Sequence, residues 1–174
     1  AGFLALAPDG LSPVGGYPGN DDDGRELQRS LEPAELDQDM INSARFLKAH
    51  ELSSGQLGAT GFCWGGGMSN RLAAVLGSDL QAGVPFYGAS VSAEDVASIE
   101  AAIMINYAGT DQRINSMWPD YESALQANNV DYTMHIYEGT LHGFHNNSTP
   151  RYNKPAADLA WNRTVGFFRE HLAG

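Results

Sequence analysis

The stretch Gly61-Phe62-Cys63-Trp64-Gly65-Gly66-Gly67 decides how this chain of 174 residues is read. It follows an apolar run, Leu57 to Phe62, and precedes a helix-compatible one, Met68 to Leu76. A strand that turns sharply into a helix holds the residue at the turn in a strained conformation, above the end of a sheet. Small neighbours there let strand and helix approach without a Cβ clash. Cys63 occupies that turn, between Gly61 and Gly65. A thiol in this position meets the positive end of a helix dipole, which favours thiolate. The backbone N–H of Trp64 would point to where an oxyanion develops. The same residues also admit a plainer reading, because a lone cysteine packs as a small hydrophobe and a glycine cluster makes a turn.

Working outward, four more short apolar runs appear: Phe3 to Ala7, Gln81 to Tyr87, Ala101 to Ala108 and Tyr132 to Tyr137. Most are continuous rather than alternating, as expected of strands buried on both faces of a parallel sheet. Helical periods lie between them. Leu36, Met40, Ala44 and Leu47 form one apolar stripe on a helix from about Pro33 to His50. Tyr121 and Leu125 mark a second, stopped by Asn128-Asn129. Trp161, Val165, Phe168 and Leu172 mark a last one that Pro155 can open. The alternation predicts a single α/β domain over residues 1–174, with about five parallel strands and helices on both faces. Gly10 to Gly24 reads as turns and a solvated acidic loop, because Asp21, Asp22 and Asp23 lack the alternating ligands of a calcium loop.

Two further residues fall where chemistry collects in such sheets, beyond the carboxyl ends of strands. Asp111 follows the run Ala101 to Ala108, and His142 lies in the loop after Tyr132 to Tyr137. Cys63, Asp111 and His142 therefore stand in the order nucleophile, acid, base, each past a strand end. Trp64, Phe86, Tyr87, Trp118 and Phe144 lie near those ends or the triad. Phe86, Tyr87 and Phe144, together with His145, are expected to line a substrate pocket. His145, three residues after His142, does not share a helix face with it, so no metal is expected and no cofactor is needed.

Composition narrows the partners. The chain carries 21 acidic and 10 basic side chains, a formal net charge of −11. Nucleic-acid binders need clustered Lys and Arg, and anionic membranes repel such a surface. A single cysteine excludes an internal disulfide scaffold. No apolar run is long enough for a membrane span and no leader pattern is visible, so the expected location is cytoplasmic.

The chain resembles the dienelactone hydrolase (carboxymethylenebutenolidase) family of the α/β-hydrolase fold. Gly61-Phe62-Cys63-Trp64-Gly65-Gly66 is the most specific piece, since cysteine at the turn separates this family from serine esterases. Ala1 to Asp9 resembles the strand-to-loop segment one helix before the elbow. Tyr107-Ala108-Gly109-Thr110-Asp111 resembles the acid segment, and Leu141-His142-Gly143-Phe144-His145-Asn146 the base segment. Arg151-Tyr152-Asn153 through Thr164 resembles the closing helix. The resemblance implies hydrolysis of small esters or lactones through a thioester, with Cys63 as nucleophile, His142 as base and acid, and Asp111 as orienter.

Two departures accompany it. Family members carry a segment ahead of this start, with leading strands, a second oxyanion donor and a Glu that meets the resting thiol. The arginines that hold a dienelactone carboxylate lie just after Pro-Asp and a few residues past the histidine. Here Gly10-Leu11-Ser12 and Phe144-His145-Asn146 stand in those places. The other reading is a catalytically weak or inactive fragment that acts as an interaction module. In that case an unpaired edge of the strand Phe3 to Ala7 would pair with a second copy of the chain.

Overall fold

The computed structural model describes residues 1–173, and the chain divides into two compact units, Ala1–Gly55 and Gln56–Gly174. In the first unit, residues 1–9 form no strand, and Phe3, Leu4 and Leu6 are exposed. This corrects the expected fifth strand. An extended segment becomes a strand only when a neighbour takes its N–H and C=O groups, and no ladder includes it. The proposed edge for self-association loses its basis with it.

The acidic loop is also corrected in part. Residues 21–30 form helix α1 (Asp21–Ser30). The Asn20 side chain caps it by accepting from the Asp23 N–H at 3.0 Å. Asp21, Asp22 and Asp23 occupy the first turn, where the helix dipole favours negative charge. Helix α2 (Pro33–Ala49) opens on Pro33. Its least exposed side carries the expected stripe of Leu36, Met40, Ala44 and Leu47, together with Ile41.

The second unit is a four-stranded parallel sheet in the order β1 (Gly58–Phe62), β2 (Ala82–Phe86), β3 (Ala102–Thr110), β4 (Tyr132–Leu141). Helices α3 (Trp64–Leu76), α4 (Ala93–Val96), α5 (Gln112–Asn115), α6 (Trp118–Ala127) and α7 (Lys154–His171) complete it. Neighbouring residues of a strand face opposite sides, and two glycines show what covers each side. A Cβ on Gly58 would strike Phe168 of α7 at 2.7 Å, whereas one on Gly83 would sit 3.9 Å from Ala73 of α3. Gly58 pairs with Ala82, the residue before Gly83, so α3 and α7 cover opposite faces. On the α7 side, Val84, Phe86, Tyr87, Met104, Ala108, Tyr137, Phe144 and Ala160 form one buried cluster.

β4 runs four residues beyond the expected Tyr137 because its pairing with β3 slips. Ala108 pairs with Tyr137 but Thr110 with Leu141, so two residues of β3 span four of β4. Gly139 takes φ +70° within this bulge. Thr140 Oγ1 pins it by donating to Tyr137 O at 2.7 Å and accepting from Gly109 N at 3.3 Å. The slip brings Leu141 level with Thr110, and so His142 beside Asp111. Among the described residues, no helix is long and apolar enough to cross a membrane.

Candidate active site

Cys63 sits between β1 and α3 with φ 53° and ψ −114°, a conformation that L residues rarely adopt. Its N–H donates to Phe86 O at 3.1 Å, and its carbonyl accepts from the Gly66 and Gly67 N–H groups at 3.1 and 3.2 Å. The turn is therefore tied to β2 and to the first turn of α3. Two glycines make this approach feasible. A Cβ on Gly61 would lie 2.2 Å from Gly65 O, and one on Gly66 would lie 2.4 Å from Phe86 O. Gly65 itself has open space beyond its own helix, so the tight positions are 61 and 66. Gly61→Ala is expected to destabilise the fold by about 1–3 kcal/mol through overpacking and to displace the sulfur. Thermal unfolding together with the Cys63 alkylation rate checks both effects.

The structure brings Cys63, Asp111 and His142 into one line. His142 Nε2 lies 3.0 Å from Cys63 Sγ, and His142 Nδ1 lies 2.5 Å from Asp111 Oδ2. A carboxylate can only accept, so Nδ1 carries the hydrogen and Nε2 is free to accept from the thiol. The Asp111 side chain is 6 % exposed and that of His142 is 23 % exposed. Asp111 opens α5, and its carbonyl accepts from the Ile114 and Asn115 N–H groups at 3.1 and 2.8 Å. Asn115 Nδ2 reaches back to Ala108 O at 2.9 Å, which holds the turn against β3. Trp64 is the first residue of α3, so its N–H has no acceptor within the helix.

The electrostatics alter one expectation. Burial pushes the Cys63 thiol above its ordinary value, Arg151 and then Arg113 pull it down, and Asp111 pushes it up. The net direction is upward, opposite to the shift toward thiolate expected from the helix dipole. Desolvation of the anion outweighs two exposed cations. Among the described residues neither arginine forms an ion pair, and the Arg151 guanidinium lies over Gly143, whose absent Cβ would stand 3.7 Å from Cζ.

The four expected pocket residues take different places. Phe86 and Phe144 are fully buried in the core cluster, behind the triad rather than open to solvent. Tyr87 is also buried, with its ring centroid 4.9 Å from that of His142. His145 is half-buried among Phe62, Phe86 and Trp161, at 4.9, 5.3 and 5.9 Å between centroids. Burial lowers its pKa, which favours the neutral ring, and its Nε2 has no hydrogen-bond partner. Sequence reasoning missed Arg113 entirely and left Arg151 unassigned. Neither belongs to a periodic segment that would have announced its direction.

The model of the dienelactone hydrolase family matches residues 1–172. The chain belongs to this family. That places it among hydrolases acting on carboxylic ester bonds, on the α/β-hydrolase fold. It is 34 % identical over 178 residues to the protein called usf of Aquifex pyrophilus, covering 98 % of this chain and 76 % of the relative. It is 30 % identical over 190 residues to a Bradyrhizobium protein named "Probable 2-oxo-3-(5-oxofuran-2-ylidene)propanoate lactonase", covering 100 % of this chain and 75 % of that one. The crystal structure of a dienelactone hydrolase from Anabaena variabilis aligns with a TM-score of 0.68 at 18 % identity, over 94 % of this chain and 76 % of that one. At that identity the likeness speaks for the fold alone.

Proposed function

We propose that the chain hydrolyses small esters or lactones through a Cys63 thioester, with His142 as base and acid and Asp111 as its orienter. The observation that carries this reading is the Cys63–His142–Asp111 line, with 3.0 Å from sulfur to Nε2 and 2.5 Å from Nδ1 to carboxylate. As sulfur bonds to the carbonyl carbon, its proton passes to Nε2 and the C=O pair becomes an oxyanion facing the Trp64 N–H. When the oxyanion collapses, the bond to the leaving oxygen breaks and Nε2–H protonates that oxygen. Water then gives a proton to Nε2 and attacks the thioester carbonyl. The C–S bond breaks, the acid departs and sulfur regains its proton from Nε2. The raised thiol fits this order, because the base acts during attack and not before it. The family match runs across both compact units, which supports reading residues 1–174 as one domain. A nucleophile that must stay reduced suits the cytoplasm.

The direct test is intact-mass measurement after brief mixing with p-nitrophenyl acetate. The expected result is an acetyl adduct located on Cys63. Steady hydrolysis that persists in a Cys63→Ala variant, with no adduct on the wild type, overturns the reading.

Arg113 and Arg151 favour acyl groups that bear a carboxylate, since two unpaired cations beside the sulfur give an otherwise acidic chain a local positive field. The propanoate named for the Bradyrhizobium relative is of that kind. Arg151→Ala is expected to move the alkylation midpoint of Cys63 upward, because the lost cation favoured the thiolate. It is also expected to slow alkylation by iodoacetate more than by neutral iodoacetamide, by roughly threefold to tenfold at low salt. Equal slowing of the two reagents removes the charge preference.

A further inference from the structure

The hydrogen bond from His142 Nδ1 to Asp111 fixes one edge of the imidazole but leaves the ring free to swing about that bond. His142 stands in a loop between the bulge glycine Gly139 and Gly143, which take φ +70° and +86°. Neither glycine restrains the loop by itself. Something else must stop the swing if Nε2 is to stay within 3.0 Å of Cys63 Sγ.

Tyr87 is the side chain that lies against the ring. Its centroid is 4.9 Å from that of His142, with the two planes at 59°. Tyr87 is itself held on every side: it is 1 % exposed, and Phe62, Phe86 and Phe144 surround it at 6.2, 6.1 and 5.4 Å. Its N–H donates to Asn106 O at 2.7 Å. It also adopts φ 37°, one of three non-glycine residues with positive φ among those described, and Cys63 is another. Such a conformation costs about 1–3 kcal/mol and persists only where the surroundings enforce it. Both strained residues follow directly on a strand, Cys63 on β1 and Tyr87 on β2, and Cys63 N–H bonds to the residue before Tyr87. The tyrosine therefore meets the histidine loop through the contact of its ring with that of His142.

We propose that Tyr87 is a positioning residue for the hydrolysis, a rigid aromatic wall that keeps the His142 imidazole turned toward Cys63. This rests on the triad reading given under Proposed function. The ring, rather than the hydroxyl, does the positioning, since the contact with His142 is between two tilted rings and the two side chains share no hydrogen bond among the described residues. Misplacing a catalytic group by about 1 Å can cost on the order of 10²-fold in rate.

The test compares Tyr87→Phe, Tyr87→Leu, His142→Ala and Val84→Ala in the full chain, through p-nitrophenyl acetate turnover and the pH profile of Cys63 alkylation by iodoacetamide. Phenylalanine keeps the ring. Leucine keeps much of the volume and the same backbone strain but has no flat face. Val84→Ala is a core truncation in the same buried cluster that does not touch the triad, so it reports what lost stability alone does. Tyr87→Phe is expected to keep kcat within about threefold, whereas Tyr87→Leu should lose roughly tenfold to a hundredfold in kcat with KM little changed. The alkylation profile of Tyr87→Leu should move toward that of His142→Ala, and that of Val84→Ala should stay with the wild type. A Tyr87→Leu profile and kcat matching the wild type overturn the proposal. So does a Tyr87→Phe loss as large as that of Tyr87→Leu, which would put the effect in the hydroxyl. If His142→Ala leaves turnover and profile unchanged, the triad reading itself fails. That outcome is distinct from a failure confined to Tyr87.

Discussion

Cys63→Ala is expected to reduce hydrolysis of a small activated ester by roughly 10⁴–10⁶-fold, the scale seen when the nucleophile of an acyl-transfer triad is removed. The structure makes this a clean substitution. Cys63 lies at the surface with its thiol only partly covered, so losing the sulfur opens no core cavity, and the backbone bonds that hold the turn, to Phe86 O and from Gly66 and Gly67, do not involve the side chain. Stability should therefore change little while turnover collapses, which unfolding curves and initial rates can separate. Cys63→Ser is expected to fall between the two. A hydroxyl gives up its proton less readily than a thiol, and the shorter C–O bond draws the atom back from Nε2, which is spaced for sulfur at 3.0 Å. If Cys63→Ala keeps more than about a tenth of the rate, less than 1.4 kcal/mol of transition-state stabilisation depends on the thiol and the nucleophile is elsewhere.

Two of the strands were legible because a strand covered on both faces must be apolar throughout, whereas β1 and β4 are only partly buried and were read from their apolar runs alone. β2 is buried along its whole length, and β3 through its first seven residues. Phe3 to Ala7 has the same local character and yet forms no strand. Strandedness belongs to a pair of segments, and a sequence window contains only one of them. Asn20 to Asp23 shows the opposite ambiguity. Asn and Asp favour turns and also helix N-caps for the same reason, a short side chain that accepts from a nearby N–H. Only the three-dimensional course of the chain shows that the cap won.

At the candidate site, it was legible that Cys63, Asp111 and His142 would each follow a strand end, where the fold concentrates chemistry. How they reach one another was not. Bringing His142 level with Asp111 depends on the two extra residues of the β4 bulge, and no periodicity announces a bulge. The state of the thiol was equally hidden. A helix N-terminus can be inferred from a glycine-rich turn, but the burial that raises the thiol comes from packing. Phe86 and Phe144 were placed correctly along the chain and wrongly in depth. Nearness to a catalytic residue in sequence does not say which side of the sheet a side chain takes, and both lie in the core. Tyr87 carries the same apolar signature, and its place against His142 follows from a positive φ that the sequence does not display.

Asp111→Asn is expected to lower kcat by roughly 10⁴-fold, the cost when an orienting carboxylate of a triad becomes an amide. The substitution keeps size and shape in a position that is 6 % exposed, so α5 and its backbone caps should persist. The chemistry changes in one of two ways, according to how the amide turns. If its oxygen faces Nδ1, the tautomer survives, but the imidazolium that forms during attack loses its counter-charge. If its NH2 faces Nδ1, the amide donates, Nδ1 must accept, and the imidazole hydrogen moves to Nε2. Nε2–H then points at sulfur and cannot take its proton. In both cases the resting distances at Cys63 can look unchanged while turnover fails, so a structure of the variant alone would not reveal the defect. The measurement that does is single-turnover acylation with p-nitrophenyl acetate, in which the wild type should form the Cys63 adduct quickly and Asp111→Asn slowly. Acylation within about tenfold of the wild type would mean that the Asp111 carboxylate is not needed to orient His142 and would leave that to the contact with Tyr87.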